Sequence, residues 1–187
     1  MSLDNTKLFE FLGEIDKELK RKIVVVAVGG TAITLFNAKA STIDVDFTIP
    51  GKYFGDFQHA KDIIQPGFKV DLFHDGAVFV NMLPEDYLKR SKLIKTRLKN
   101  IELRALHPVD IIVTKIGRLD GRDEQDIEAC IKKFKIKKNQ IAKRACQMGY
   151  AANDKVFQNH LQIVLKKFVQ KEKSGIRLEK YGKKQRR

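Results

Sequence analysis

Apolar positions along the chain switch between two periods, and the switches mark out the elements. Residues 6–20 place Leu8, Phe11, Leu12, Ile15 and Leu19 at the spacing of one helix face, with acids and lysines between them. Ile23 to Val28 (IVVVAV) is a continuous, mostly β-branched run and reads as a strand buried on both faces. Gly29 and Gly30 end it, and Thr31 to Phe36 reads as a short helix. Residues 42–49, TIDVDFTI, alternate strictly. Ile43, Val45, Phe47 and Ile49 fall on one face and Thr42, Asp44, Asp46 and Thr48 on the other, the pattern of a half-buried strand closed by Pro50-Gly51.

A helix over about 54–64 leads through Pro66-Gly67 into a strand at 68–73. Asp75-Gly76 then turns the chain into residues 77–82, a hairpin. A second pair of strands, roughly 92–98 and 101–106, flanks Lys99-Asn100. After Leu106 the period becomes helical. His107-Pro108-Val109-Asp110 is a helix start, with Val109, Ile112, Val113 and Ile116 as its apolar stripe. Asp120-Gly121 breaks it, and further helices cover about 122–134 and 139–148. Another begins near Asn153-Asp154, with Phe157, Leu161, Val164, Leu165 and Phe168 on one face. The expected fold class is α/β (α+β): a mixed sheet flanked by helices in residues 1–106, a helical region with a basic surface in 107–172, and a basic, disordered tail in 173–187.

Composition adds bounds. At 187 residues with 43% hydrophobic content, one compact domain, or a core domain with a small appendage, can bury a real core. No apolar run approaches the ~20 residues of a bilayer span, so no membrane contact is expected, and the N-terminus lacks a secretory pattern. Cys130 and Cys146 form no CxxC pair and have no histidine at ligand spacing, which argues against zinc and a disulfide framework and fits a cytoplasmic setting. Charge changes the picture most. From residue 130 onward 18 Lys and Arg face three acids, whereas residues 1–129 hold 19 bases and 20 acids. The last third therefore carries the whole +14 excess, which points to a polyanionic partner, nucleic acid above all. A solubilising lysine-rich surface is the plain alternative.

The chemistry-bearing residues cluster early. A double glycine between a strand and a helix, Gly29-Gly30, lets backbone N–H groups approach an anion. It is neither a Walker loop nor a dinucleotide fingerprint. Asp44 and Asp46, at i and i+2 of a strand, put two carboxylates on one side about 7 Å apart along the backbone. So placed they repel unless a cation lies between them, and Mg²⁺ favours one or two carboxylates plus phosphate oxygens. A wet polar strand face is the ordinary alternative, although aspartate is a poor strand residue. Asp71, in KVDLFHD, would join them if its strand lies beside 42–49. His59, His74, His107 and His160 show no metal spacing, no Gly-x-Ser-x-Gly elbow exists, and no aromatic platform of an RNA-recognition sheet is evident.

Gly29-Gly30-Thr31-Ala32 followed by Ser41-Thr42-x-Asp44-x-Asp46 resembles the polymerase-β-like nucleotidyltransferase superfamily. More narrowly it resembles a small prokaryotic branch that includes abortive-infection and toxin–antitoxin nucleotidyltransferases. Residues 107–115 (HPVDIIVTK) and 122–127 (RDEQDI) match that branch's later helices, so the resemblance spans about 20–130. It implies a nucleotidyltransferase-like fold, with Asp44, Asp46 and Asp71 as catalytic Mg²⁺ (or Mn²⁺) ligands. It further implies that Gly29, Gly30 and Thr31 hold the triphosphate and that Lys115 and Arg118 face the nucleotide. Arg122, Asp123 and Asp126 are read as a structural ion-pair cluster between helices or as part of the site. Position 40 is alanine where relatives often carry arginine, and Lys39 stands beside it as a substitute.

The expected activity is transfer of a nucleoside monophosphate from an NTP to an acceptor hydroxyl, the basic C-terminal third suggesting RNA such as a tRNA end. A small-molecule acceptor, an antibiotic or sugar, would keep the chemistry. The alternative is a non-catalytic nucleic-acid- or partner-binding protein on the same scaffold, antitoxin-like, or one with a protein partner of toxin–antitoxin type.

Overall fold

The computed structural model describes residues 2–167; Phe168 and the basic tail 173–187 lie outside them. The chain runs α1 (Asn5–Glu18), β1 (Ile23–Ala27), α2 (Gly29–Leu35), β2 (Val45–Ile49), α3 (Gly51–Ile64), β3 (Val70–His74), β4 (Ala77–Val78), β5 (Asn81–Met82), α4 (Tyr87–Arg90), β6 (Lys92–Leu93) and β7 (Ile101–Ala105). There follow α5 (Pro108–Ile116), α6 (Gly121–Phe134), α7 (Lys138–Ala145), a 3₁₀ turn (Gly149–Asn153) and α8, described over 155–167. This is the expected mixed α/β architecture with a helical C-terminal region. No described helix is long and apolar enough to cross a membrane.

Among the described residues one sheet has five strands in the order β3-β2-β1-β7-β6. β1 is antiparallel to β2 and parallel to β7, while β2 and β3 run parallel. The IVVVA run of β1 is central because its β-branched residues have apolar cover on both faces. β2 is likewise buried along its whole length, Thr48 included. That result removes the wet-face reading of this strand: Asp46 is only 7% exposed.

The strict alternation over 42–49 fails at its start. The strand begins at Val45, and Ile43 is 58% exposed rather than in the core. Thr42 is tied to Leu3 by two backbone hydrogen bonds of 2.8 Å, and its hydroxyl donates to the Asp44 carbonyl at 3.0 Å. Those bonds turn residues 42–44 out of the strand. The hairpin at Asp75-Gly76 is also corrected. β3 pairs with β2, while β4 and β5 make a separate two-stranded sheet that turns at Phe79-Val80. The pair around Lys99-Asn100 forms as β6 and β7, although β6 is only two residues long.

α1 buries Leu8, Phe11, Leu12 and Ile15 in the core and packs beside α3. Asp16, on the same helix, is buried too, and its carboxylate accepts the backbone N–H groups of Lys99 (2.9 Å), Asn100 (2.7 Å) and Ile101 (2.9 Å). One side chain thus holds the entry to β7. On the other side of the molecule Asp110 of α5 is fully buried and pairs with Arg144 of α7 and with Arg90 (3.2 Å). α5 is buried all along, so the residues it carries are placed rigidly.

Candidate functional site

A cleft of about 230 Å³ opens over the sheet, with Asp44, Asp46, Asp71 and Gly30 lining it from the β2–β3 side. Lys115, Arg118, Asp120, Arg122, Asp123 and Asp126 line it from α5, α6 and their connection. Lys39, Thr42, Ile43, Lys69 and Phe79 complete it.

Register brings the carboxylates together. Asp46 and Asp71 are direct neighbours across the parallel β2–β3 pair, so both point to the same side of the sheet. Asp44 stands just before β2. Asp46 is the buried member, and its Oδ1 has no hydrogen-bond partner. Burial, and after it the Asp71 and Asp44 carboxylates, pushes its carboxyl from 3.8 up to about 6. Lys115 and Lys69 act in the opposite direction without cancelling the effect. Asp71 is more open and forms a 2.6 Å ion pair with the exposed Lys69. Asp44 makes no side-chain hydrogen bond or ion pair with any described residue.

The glycine pair is what admits Asp46 here. Gly29 has φ +52°, and a Cβ on it would meet Asp46 Oδ2 at 3.0 Å. A Cβ on Gly30 would meet Thr42 Oγ1 at 2.6 Å. Thr31 serves the fold: its hydroxyl accepts the Asp46 N–H at 2.9 Å and donates to the Asp44 carbonyl at 3.4 Å. That hydroxyl is committed to the strand backbone, and Thr31 is fully buried; of the three residues expected to hold the triphosphate, Gly30 lines the cleft while Gly29 and Thr31 sit behind it.

Facing the carboxylates is an ion-pair network. The ammonium of Lys115, a residue only 6% exposed, sits 2.8 Å from Asp123 and 2.9 Å from Asp126. Burial works to lower its pKa, but the bonds to Asp123 and Asp126 outweigh that and hold it above the ordinary lysine value. Arg118 reaches Asp123 at 3.1 Å, and Lys39 reaches Asp126 at 3.1 Å. Asp123 and Asp126 therefore form the anticipated inter-helix cluster, joined by Lys39. Arg122 stays outside it: it is exposed, lines the cleft and makes no ion pair among the described residues.

A family model described as a nucleotidyltransferase of unknown function (DUF6036) matches residues 6–173. The chain belongs to that family. No curated protein and no solved structure matches it. For this nucleotidyltransferase-family chain the cleft-lining residues missed by pattern alone are Lys69, Ile43, Phe79 and Asp120. Lys69 follows from its i, i+2 spacing to Asp71. Phe79 gave no turn signal because Phe79-Val80 holds neither glycine nor asparagine, and Ile43 gave none because it sits in phase with true core positions.

The donor set also suits a divalent cation. Among the described residues no three His, Cys, Asp or Glu side chains are gathered closely enough to hold a metal by themselves. Asp44, Asp46 and Asp71 are therefore not a ready three-carboxylate metal site, and an ion here would take one or two of them and complete its shell with water and phosphate. The orphaned, buried Asp46 Oδ1 is an acceptor in need of such a ligand.

Proposed function

We propose that the chain transfers a nucleoside monophosphate from an NTP to an acceptor hydroxyl, with Mg²⁺ (or Mn²⁺) held by Asp44 and Asp46 and with Asp71 beside them. The observation that carries this reading is the buried, unpartnered Asp46 carboxylate at the base of a cleft it shares with Asp44, Asp71 and five cationic side chains. When bound, the cation would withdraw charge from the phosphoryl group and lower the pKa of an attacking hydroxyl.

The chain's own residues do the rest. Asp44 and Asp46 hold the ion's protein side. Arg122, free of any described ion pair, takes the negative charge that develops on the departing pyrophosphate. Lys39 and Arg118, each with one carboxylate partner and an exposed face, are the next donors for phosphate oxygens. Lys115 acts at one remove, fixing Asp123 and Asp126 and lending positive potential to Asp46. Gly30 leaves its part of the cleft lining free of a side chain where Thr42 approaches, and Gly29 behind it leaves room for Asp46. The acceptor oxygen bonds to the α-phosphorus as the bond to the leaving pyrophosphate breaks, and the hydroxyl proton is released to solvent.

An RNA acceptor such as a tRNA end is supported by the exposed lysines of α6, α7 and their link: Lys132, Lys135, Lys137, Lys138 and Lys143. One observation favours a second reading, a non-catalytic nucleic-acid- or partner-binding protein. Lys115, a residue expected to meet the nucleotide, is neutralised by two carboxylates. The deciding experiment incubates the protein with each α-labelled NTP, Mg²⁺ and total tRNA, beside Asp44→Ala. Label transferred by wild type and lost in the variant supports the transferase. Salt-sensitive RNA binding without transfer, unchanged in Asp44→Ala, supports the second reading.

A further inference from the structure

Two large apolar side chains line an otherwise charged cleft, and neither belongs there by the ordinary rules of folding. Ile43 is 58% exposed although the strand that follows it is buried throughout, and Phe79 is 39% exposed. Phe79 is the first residue of the two-residue turn between β4 and β5, with φ +54°, while Val80 has no positive φ. That is the pattern of a type II′ hairpin turn, whose first position is ordinarily glycine. A phenylalanine in the left-handed region is strained, and such strain persists only where surrounding structure enforces it. Here the enforcement is visible. The Phe73 ring meets Phe79 edge-on at 5.1 Å, and the Arg118 guanidinium lies 4.3 Å from its centroid. The hairpin itself is anchored by Asn81, buried, which donates to the Thr114 carbonyl at 3.1 Å and packs closely on Gly117. An aromatic ring is thus held at a polar cleft, on a rigid support, in a conformation that a glycine would adopt more readily.

We infer that Phe79 is the nucleobase platform of the nucleotide site. The base packs on the exposed part of the ring, with Ile43 as the second apolar contact, while the phosphates lie toward the carboxylates and cations of the same cleft. A flat aromatic body paired with a polyanionic tail is the chemistry this mixed lining fits: apolar area for the one, bound cation and arginine for the other. Stacking on an aromatic side chain is tolerant of base identity, because every base has a π-face. Arg118 belongs to both halves, since it covers the Phe79 ring and bonds Asp123 at the edge of the ion-pair network. This inference rests on the nucleotide reading of the cleft and adds the element that grips the base.

The test compares a ligand with a base and one without. Dissociation constants for ATP and for inorganic tripolyphosphate, each with Mg²⁺, are measured by calorimetry on wild type, Phe79→Gly and Phe79→Tyr. Phe79→Gly removes the ring while relieving the backbone, and its thermal unfolding confirms that the fold is retained. The expected result is that ATP binding weakens about tenfold in Phe79→Gly, tripolyphosphate binding is unchanged, and Phe79→Tyr restores the wild-type preference for ATP. Equal ATP affinity in folded Phe79→Gly and wild type overturns the platform and leaves the nucleotide site standing. Equal loss of both ligands in Phe79→Gly also overturns it, because the ring would then be shaping the phosphate site. Wild type that binds neither ligand overturns the nucleotide reading itself, and the platform with it.

Discussion

A carboxylate placed to receive a cation should weigh on the protein when the cation is absent, and Asp46 lets that burden be sized. Moving its carboxyl from 3.8 to about 6 costs the ionised form about 3 kcal/mol, at roughly 1.36 kcal/mol per pH unit. Asp46→Asn removes the charge and keeps the shape. In EDTA at pH 7.5 the variant should therefore be more stable than wild type by about 3 kcal/mol, a rise in Tm of roughly 6–12 °C for a chain of this size. The direction with pH follows from linkage. Between about pH 4 and 6 the folded wild type holds a proton that the unfolded chain has lost, so its stability falls as pH rises through that window. The gap between variant and wild type should be near zero at pH 4 and complete above the folded value. Urea unfolding followed by circular dichroism at pH 4, 5, 6 and 7.5 measures it. Adding Mg²⁺ should then raise wild type and leave Asp46→Asn unmoved. A variant that is no more stable than wild type at pH 7.5, or a gap that does not change with pH, would refute the reasoning from a buried, uncompensated carboxylate.

Three other perturbations probe the frame around that site. Lys115→Met leaves Asp123 and Asp126 facing each other without their shared cation, and denaturant unfolding should show a loss of about 3–5 kcal/mol; a loss below 1 kcal/mol would mean the network is not compensating buried charge. Asp123 itself is held below the usual carboxylate range, because hydrogen bonds from Arg118 and Lys115 outweigh the effect of its burial. The stability this pair of bonds supplies is present above the unfolded value near pH 4 and drains away as pH falls through the folded one, so an Asp123→Asn variant should lack that acid limb in a pH-unfolding series. Asp16→Ala strands three backbone N–H groups at the start of β7, and at roughly 1–3 kcal/mol for each buried donor left unpaired it should unfold the chain at ordinary temperature, with Asp16→Asn intermediate. Gly30→Ala drives a methyl to 2.6 Å from Thr42 Oγ1, and should lower the Tm and any Mg²⁺-dependent nucleotide shift together; an unaltered thermal-shift profile would show that the loop gives way freely.

Much of the fold is legible in local pattern, because local pattern is what builds it. The β-branched run of β1 has no solvent side, and the Gly29-Gly30 pair forms the sharp entry to α2 that those residue types promise. The pairing of Asp46 with Asp71 was conditional on the order of strands, and the register fulfils the condition. The failures have a common physical origin in contacts between residues far apart in the chain. Ile43 sits in phase with a core stripe, yet Leu3 clamps its neighbour Thr42 and turns it outward. Asp16 looks like the polar side of an amphipathic helix until the backbone of Lys99 to Ile101 arrives. Asp110 reads as a helix-start acid, and only tertiary structure reveals Arg144 as its partner. The hairpin at Phe79-Val80 was misplaced because its turn lacks the glycine or asparagine by which such turns announce themselves.

The Asp16 clamp has a consequence for how the chain is made. β1 and β7 are parallel neighbours at the centre of the sheet, and β7 is held in place by a side chain from the first helix, some 85 positions earlier. A nascent chain emerging at ~5–20 residues per second needs roughly 5–20 s before residue 105 is available. Until then the β-branched strand β1 has no partner on its β7 side. The N-terminal half must wait unfinished for its own later sequence, and a chaperone that covers apolar strands would find its work there.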